Sequence, residues 1–125
     1  VIERMKHILV VDDDKNVVKF LERGLTLEGY RVTTCASGDA ALLEVARHTP
    51  DGMILDWMMP GLSGDQVLLR LLEHHHKPPV IMLSARDSAF DKERVLKSGA
   101  DVFLSKPVDF EKLLGHLRSL TTSQT

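Results

Sequence analysis

The sequence predicts an α/β fold built on a doubly wound parallel sheet. Three observations carry that expectation: short unbroken apolar runs recur along the chain, stretches of helical period lie between them, and turn-forming residues stand at the junctions. Unbroken apolar character, rather than strict alternation, suits strands covered on both faces.

The first run is Ile8-Leu9-Val10-Val11; after it Val17, Val18, Leu21 and Leu25 recur every three or four residues and mark one helix face. Gly29 closes that helix, and the weaker run Arg31-Val32-Thr33-Thr34-Cys35 supplies the second strand. Ser37 is placed to cap a second helix, whose inward face reads Ala41, Leu42, Val45 and Ala46. Pro50-Asp51-Gly52 turns the chain into the third strand, Met53-Ile54-Leu55, and Val67, Leu68, Leu71 and Leu72 mark the third helix. Pro78-Pro79 leads into the fourth strand, Val80-Ile81-Met82-Leu83. The connection from Asp87 to Ser98 is poorer: Val95 and Leu96 are its strong apolar pair, so its helix is expected to be exposed or mobile, the natural place for a moving part. Val102-Phe103-Leu104 and a last helix with Phe110, Leu113, Leu114 and Leu117 complete five strands and five helices. Residues 1–120 are expected to form one domain, and residues 121–125 a polar tail or the start of a linker.

Composition narrows the function classes. With 43% apolar and 27% charged residues and a formal charge of −2, the chain reads as a soluble globular domain, and its Lys and Arg form no basic run that would grip nucleic acid. No apolar run approaches the roughly 18 residues that a membrane span requires. The start Val1-Ile2-Glu3-Arg4-Met5-Lys6 lacks the features of a secretory signal, so a cytoplasmic location is the expectation. The single cysteine, Cys35, excludes a disulfide framework and reads as a small apolar filler. His74-His75-His76 stands at a helix end without Cys or further His clustered nearby, which favours a solvated terminus over a metal site.

Chemistry enters at the strand ends. Open α/β sheets hold their ligands at the carboxyl edge, where the strand order reverses. The first strand ends in Asp12-Asp13-Asp14, the third in Asp56, the fourth in Ser84 and the fifth in Ser105-Lys106-Pro107. Four strands thus deliver carboxylates, a hydroxyl and an ammonium to one edge. Asp14 reads as the cap of the helix starting near Lys15. Asp12 and Asp13 repel each other, and Asp56 worsens the repulsion unless a cation or a proton is shared. A hard divalent ion such as Mg²⁺ relieves it, since Mg²⁺ uses one or two carboxylates and keeps positions open for waters and phosphate oxygens. Ser84 fits a turn hydroxyl and a ligand contact equally, and Lys106 can lay its stem along apolar surface toward the site.

These residues resemble a family, the receiver domains of two-component response regulators, over nearly the whole chain from Lys6 to about Leu120. The resemblance is carried by Ile8-Leu9-Val10-Val11-Asp12-Asp13, by Leu55-Asp56-Trp57-Met58-Met59-Pro60-Gly61-Leu62-Ser63-Gly64, by Leu83-Ser84-Ala85, by Gly99-Ala100-Asp101 and by Lys106-Pro107. It implies a flavodoxin-like sheet of order 2-1-3-4-5, in which the first and third strands are neighbours and their acids meet. It implies that Asp56 is the phosphoacceptor, taking a phosphoryl group from a phosphohistidine on a sensor histidine kinase or a histidine phosphotransfer protein. Asp13, Asp56 and the backbone carbonyl of Met58 would be direct Mg²⁺ ligands, with Asp12 holding a metal-bound water. Lys106 would pair with Asp56 and later with a phosphoryl oxygen. Ser84 would sense the phosphoryl group, and Phe103 is either the aromatic switch that follows it or a plain core residue. Ser84 stands where Thr is commoner, and Phe103 where Tyr is frequent. Met58 and Arg86 flank the site and bear on water access to it.

By the same resemblance the chain catalyses only its own phosphorylation and dephosphorylation and is otherwise no enzyme. A C-terminal output domain outside this chain, a single-domain regulator and a phosphorylation-dependent homodimer are all compatible with it. Two rivals stand beside it. Asp12-Asp13-Asp14 superficially matches the Asp-x-Asp signature of haloacid dehalogenase-type phosphatases, although Asn16 replaces the expected Thr or Val and Asp56 would then have no role. A pseudo-receiver that serves only as a docking module is the other. A flavin-binding flavodoxin fits poorly, because the first loop is acidic where a phosphate cradle belongs.

Overall fold

The computed structural model describes residues 4–74 and 77–122. Strands and helices alternate without exception: β1 (His7–Val11), α1 (Lys15–Leu27), β2 (Arg31–Cys35), α2 (Gly38–Arg47), β3 (Gly52–Asp56), α3 (Gly64–Glu73), β4 (Val80–Ser84), α4 (Ala89–Lys97), β5 (Val102–Ser105) and α5 (Phe110–Thr121). The five strands form one parallel sheet in the order β2-β1-β3-β4-β5, as expected.

The apolar runs become intelligible once both faces of the sheet are considered. Successive side chains of a strand point to opposite faces. In β1, Leu9 and Val11 join a core with Ala41, Val45, Val67, Leu68, Leu71 and Val95 from α2, α3 and α4. Ile8 and Val10 join the opposite core with Leu21, Leu25, Leu113, Leu114 and Leu117 from α1 and α5. β1, β3 and β4 are buried along their whole length, and their polar side chains stand only at the termini: His7 at the start of β1, Asp56 and Ser84 at the ends of β3 and β4. β2, with the weakest apolar run, is a partly exposed edge strand, and β5 is its counterpart at the other edge.

Helix caps fall largely where the sequence put them. Asp14 accepts the backbone N–H groups of Asn16 and Val17, and Ser37 accepts that of Ala40. Gly29 closes α1 with φ +95°, a conformation that suits glycine. Three helix faces are narrower than expected: Ala46, Leu72 and Leu96 are exposed, while Val45, Leu71 and Val95 beside them are buried. Consecutive helical residues lie about 100° apart, so only one of each pair can face the sheet. α4 is exposed as expected, with Val95 as its one fully buried apolar residue and Phe90 72% exposed. The last helix runs one residue past Leu120, and the Thr121 hydroxyl donates to the Leu117 carbonyl. His75, His76 and the last three residues of the expected tail lie outside the described residues.

Candidate functional site

The carboxyl edge of the sheet brings the expected residues together because β1, β3, β4 and β5 end at nearly the same level. Val11 pairs with Leu55 and Ser84 with Ser105, so Asp12, Asp56, Ser84 and Lys106 stand at or one residue past adjacent strand ends. Asp12, Asp56 and Ser84 are 2%, 3% and 1% exposed, whereas Asp13 is open to solvent.

Lys106 organises the pair of buried acids. Its Nζ lies 3.0 Å from Asp12 Oδ2 and 3.2 Å from Asp56 Oδ1. The link to Asp12 was not foreseen in the sequence, which suggested Asp56 alone. The other Asp12 oxygen, Oδ1, accepts the Asp14 backbone N–H at 2.9 Å, so Asp12 is fixed from both sides. Burial pushes the Asp56 carboxyl up to about 6, the neighbouring Asp12 charge adds to this, and Lys106 opposes it. Burial also works against the Lys106 ammonium, but hydrogen bonds and charge attraction from Asp12 and Asp56 outweigh it and hold that group above the usual lysine value.

Asp12, Asp13 and Asp56 each offer a carboxylate oxygen, and the three atoms lie within 4.8 Å of one another. Three acids this close, answered by a single ammonium, leave an excess of negative charge that a hard divalent cation would neutralise. The donor set is all oxygen and thus fits Mg²⁺ rather than a thiophilic metal. Asp14 does not contribute, because its carboxylate caps α1. That separates the site from an Asp-x-Asp phosphatase, in which the second acid works in catalysis.

The loops around the edge are shaped by close approach. A Cβ on Gly64 would lie 2.6 Å from the Asp56 carbonyl oxygen and 2.9 Å from the Trp57 Cα, and the Gly64 N–H donates to the Trp57 carbonyl at 2.8 Å. Only a residue without a side chain lets α3 begin so near the end of β3. The Gln66 side chain accepts the Ser63 backbone N–H at 2.9 Å, the returning half of a capping box. Met58 is exposed beside the acids, and Phe103 is half-buried, packed on the core under α2, α3 and α4. Ser84 Oγ accepts the Arg86 backbone N–H at 2.9 Å, which leaves its hydroxyl proton to be donated elsewhere.

Sequence reasoning missed a second cluster here. The Arg86 guanidinium lies 4.8 Å from the centroid of the buried Trp57 ring and 2.8 Å from Asp91 Oδ1. Asp91 Oδ2 in turn accepts from the Ser88 hydroxyl at 2.7 Å, and Ser88 Oγ caps α4 by accepting the Asp91 N–H. The Ser-x-x-Asp spacing was the available signal.

Comparison with known proteins agrees with this geometry. Residues 8–118 match the family described as the response regulator receiver domain. The chain belongs to that family. Receiver domains are phosphoacceptor signalling modules of two-component systems, and this one is 42% identical over 113 residues to the response regulator MprA of Mycobacterium leprae, covering 90% of this chain and 50% of that protein. It is 38% identical over 116 residues to the transcriptional regulatory protein PcoR of Escherichia coli, covering 93% of this chain and 51% of the relative. The chain therefore spans about half the length of these curated relatives. The receiver domain of the Francisella response regulator 1452 superposes with a TM-score of 0.90 at 35% identity, over 93% of this chain and 96% of that one. A chain from the CheX–CheY–BeF₃–Mg²⁺ complex of Borrelia burgdorferi superposes with a TM-score of 0.87 at 31% identity, over 94% and 90%. Neither the phosphatase nor the flavodoxin reading finds support in these matches. Among the described residues no helix is long and apolar enough to cross a membrane.

Proposed function

We propose that Asp56 of this receiver domain accepts the phosphoryl group, with Lys106 and Ser84 assisting and Asp12, Asp13, Asp56 and the Met58 carbonyl holding Mg²⁺. The observation that carries the reading is the buried Asp56 carboxylate set 3.2 Å from an ammonium and within 4.8 Å of two further acids. An Asp56 oxygen forms the new bond to phosphorus while the bond from phosphorus to a histidine nitrogen of the donor breaks. That nitrogen keeps the electron pair, and the product is an acyl phosphate. The donor is a sensor histidine kinase or a histidine phosphotransfer protein. Lys106 shields the developing charge on the phosphoryl oxygens, and Asp12 holds Lys106 in place for it. Mg²⁺, when bound, supplies further charge neutralisation at those oxygens. Transfer through a loose transition state needs no separate base, so the domain catalyses its own phosphorylation and dephosphorylation and nothing else.

The Ser84 hydroxyl then donates to a phosphoryl oxygen, Phe103 repacks in the space left behind, and the surface of α4, β5 and α5 reports the change. The receiver works in the cytoplasm, coupled to an output domain or partner protein, with a phosphorylation-dependent homodimer as one form of output. Incubation with acetyl phosphate and Mg²⁺ followed by intact-mass spectrometry tests the reading. One metal-dependent phosphoryl adduct is expected in the unaltered chain and none in Asp56→Asn. An unmodified chain that also fails to bind Mg²⁺ would replace this reading with a docking pseudo-receiver.

A further inference from the structure

We propose that Arg86 is a latch that ties the phosphoacceptor edge to the start of α4 and holds the receiver in its unphosphorylated arrangement. The proposal rests on the phosphoacceptor reading of Asp56 and names a regulatory device of that same site.

The chain of contacts is continuous. Ser84 Oγ accepts the Arg86 N–H at 2.9 Å. The Arg86 side chain spans from the face of Trp57, the residue after Asp56, to Asp91 in the first turn of α4. Asp91 is 8% exposed and is bound again by the Ser88 cap hydroxyl at 2.7 Å. One side chain thus bridges the ends of β3 and β4 to a helix that otherwise seats a single fully buried apolar residue, Val95. With so little apolar anchoring, polar contacts weigh heavily in where α4 sits.

The direction of the effect follows from the geometry. A Ser84 hydroxyl that turns toward a group on Asp56 must stretch its bond to the Arg86 N–H or draw that backbone with it. Where the backbone is drawn along, the guanidinium cannot keep both its place over Trp57 and its ion pair with Asp91 unless α4 moves too. The latch therefore favours the free state, and phosphorylation has to work against it. A bias of this kind is set by the difference in contacts between two states.

The experiment uses beryllofluoride with Mg²⁺ as a phosphoryl mimic, titrated into the whole chain and into Arg86→Gln, Asp91→Asn and the double variant. Amide NMR shifts of α4 and Trp57 fluorescence serve as readouts. Each single variant is expected to bind the mimic about two- to fivefold more tightly, the range set by a half-exposed ion pair with a stacked partner. In the mimic-free protein, α4 shifts should move toward their bound positions, and the double variant should gain little beyond either single one. Unchanged or weaker binding in Arg86→Gln would overturn the latch, as would full additivity in the double variant. If the unaltered chain does not bind the mimic at all, the phosphoacceptor reading fails first and the latch falls with it. Normal binding with unresponsive variants removes the latch alone.

Discussion

Lys106 carries two duties that separate cleanly in experiment. It neutralises Asp12 and Asp56 in the resting protein, and it stands ready to face a phosphoryl group. Removing one partner from a buried ionic cluster leaves charge unanswered, which costs about 2–4 kcal/mol. Lys106→Ala should therefore melt at lower temperature in the absence of divalent cations, and millimolar Mg²⁺ should recover part of the loss. Its rate of phosphorylation by acetyl phosphate should fall on the order of a hundredfold, the scale of losing one charge-stabilising donor. Loss of stability without loss of rate would confine Lys106 to a structural role. Asp56 offers the complementary test. Its carboxyl titrates at about 6 in the folded chain, against 3.8 for the free group, so the folded state binds more protons between those values. Stability accordingly rises as pH falls through that window, and the burial penalty is fully present above it. Metal-free Asp56→Asn should then be more stable than the unaltered chain at neutral pH, by about 1–2 kcal/mol, with the difference shrinking as pH falls toward 4. Thermal melts across pH check this; a difference independent of pH would contradict it.

Elements were legible where one physical signal dominated. The apolar runs of β1, β3 and β4 and the periodic faces of α1, α3 and α5 declared themselves because burial on the sheet leaves little freedom of sequence. The site acids were legible for the reverse reason: a polar residue directly after such a run has few structural excuses. Strand order was not in the pattern; it came from family resemblance, since periodicity does not say which strands are neighbours. The Asp12–Lys106 bond joins residues 94 positions apart and has no local signature at all. Arg86, Trp57 and Asp91 each look ordinary alone, and only the folded loop makes them a cluster. Gly64 belongs with them, being legible as a motif glycine but not as a contact with the Asp56 carbonyl. Gly64→Ala should destabilise the chain by about 1–3 kcal/mol, as overpacking does, and slow phosphorylation by displacing the end of β3. Wild-type stability and rate would show that the loop has room to yield.

Across the whole molecule, the two edges of the sheet bury different titratable groups. The carboxyl edge gathers the acids, while the opposite edge buries His7, whose ring lies 2.7 Å from the Thr33 hydroxyl and whose backbone N–H is held by Asp51. Burial holds the His7 ring below its usual range, and nearby Arg31 adds to this. The unfolded chain thus binds a proton that the folded chain refuses just below pH 6.5, so this contribution to stability is present above that value and is lost as pH falls. His7 and Asp56 therefore oppose each other in mildly acid solution, and the two edges of one sheet respond to pH in opposite senses. The central claim concerns the acidic edge and is tested most directly by trapping. After incubation with acetyl phosphate and Mg²⁺, borohydride reduces an acyl phosphate to the corresponding alcohol, and peptide mapping locates the reduced residue. Reduction at Asp56 alone is the expected result; reduction at Asp12 or Asp13, or a phosphoryl group found on another residue type, would contradict the assignment.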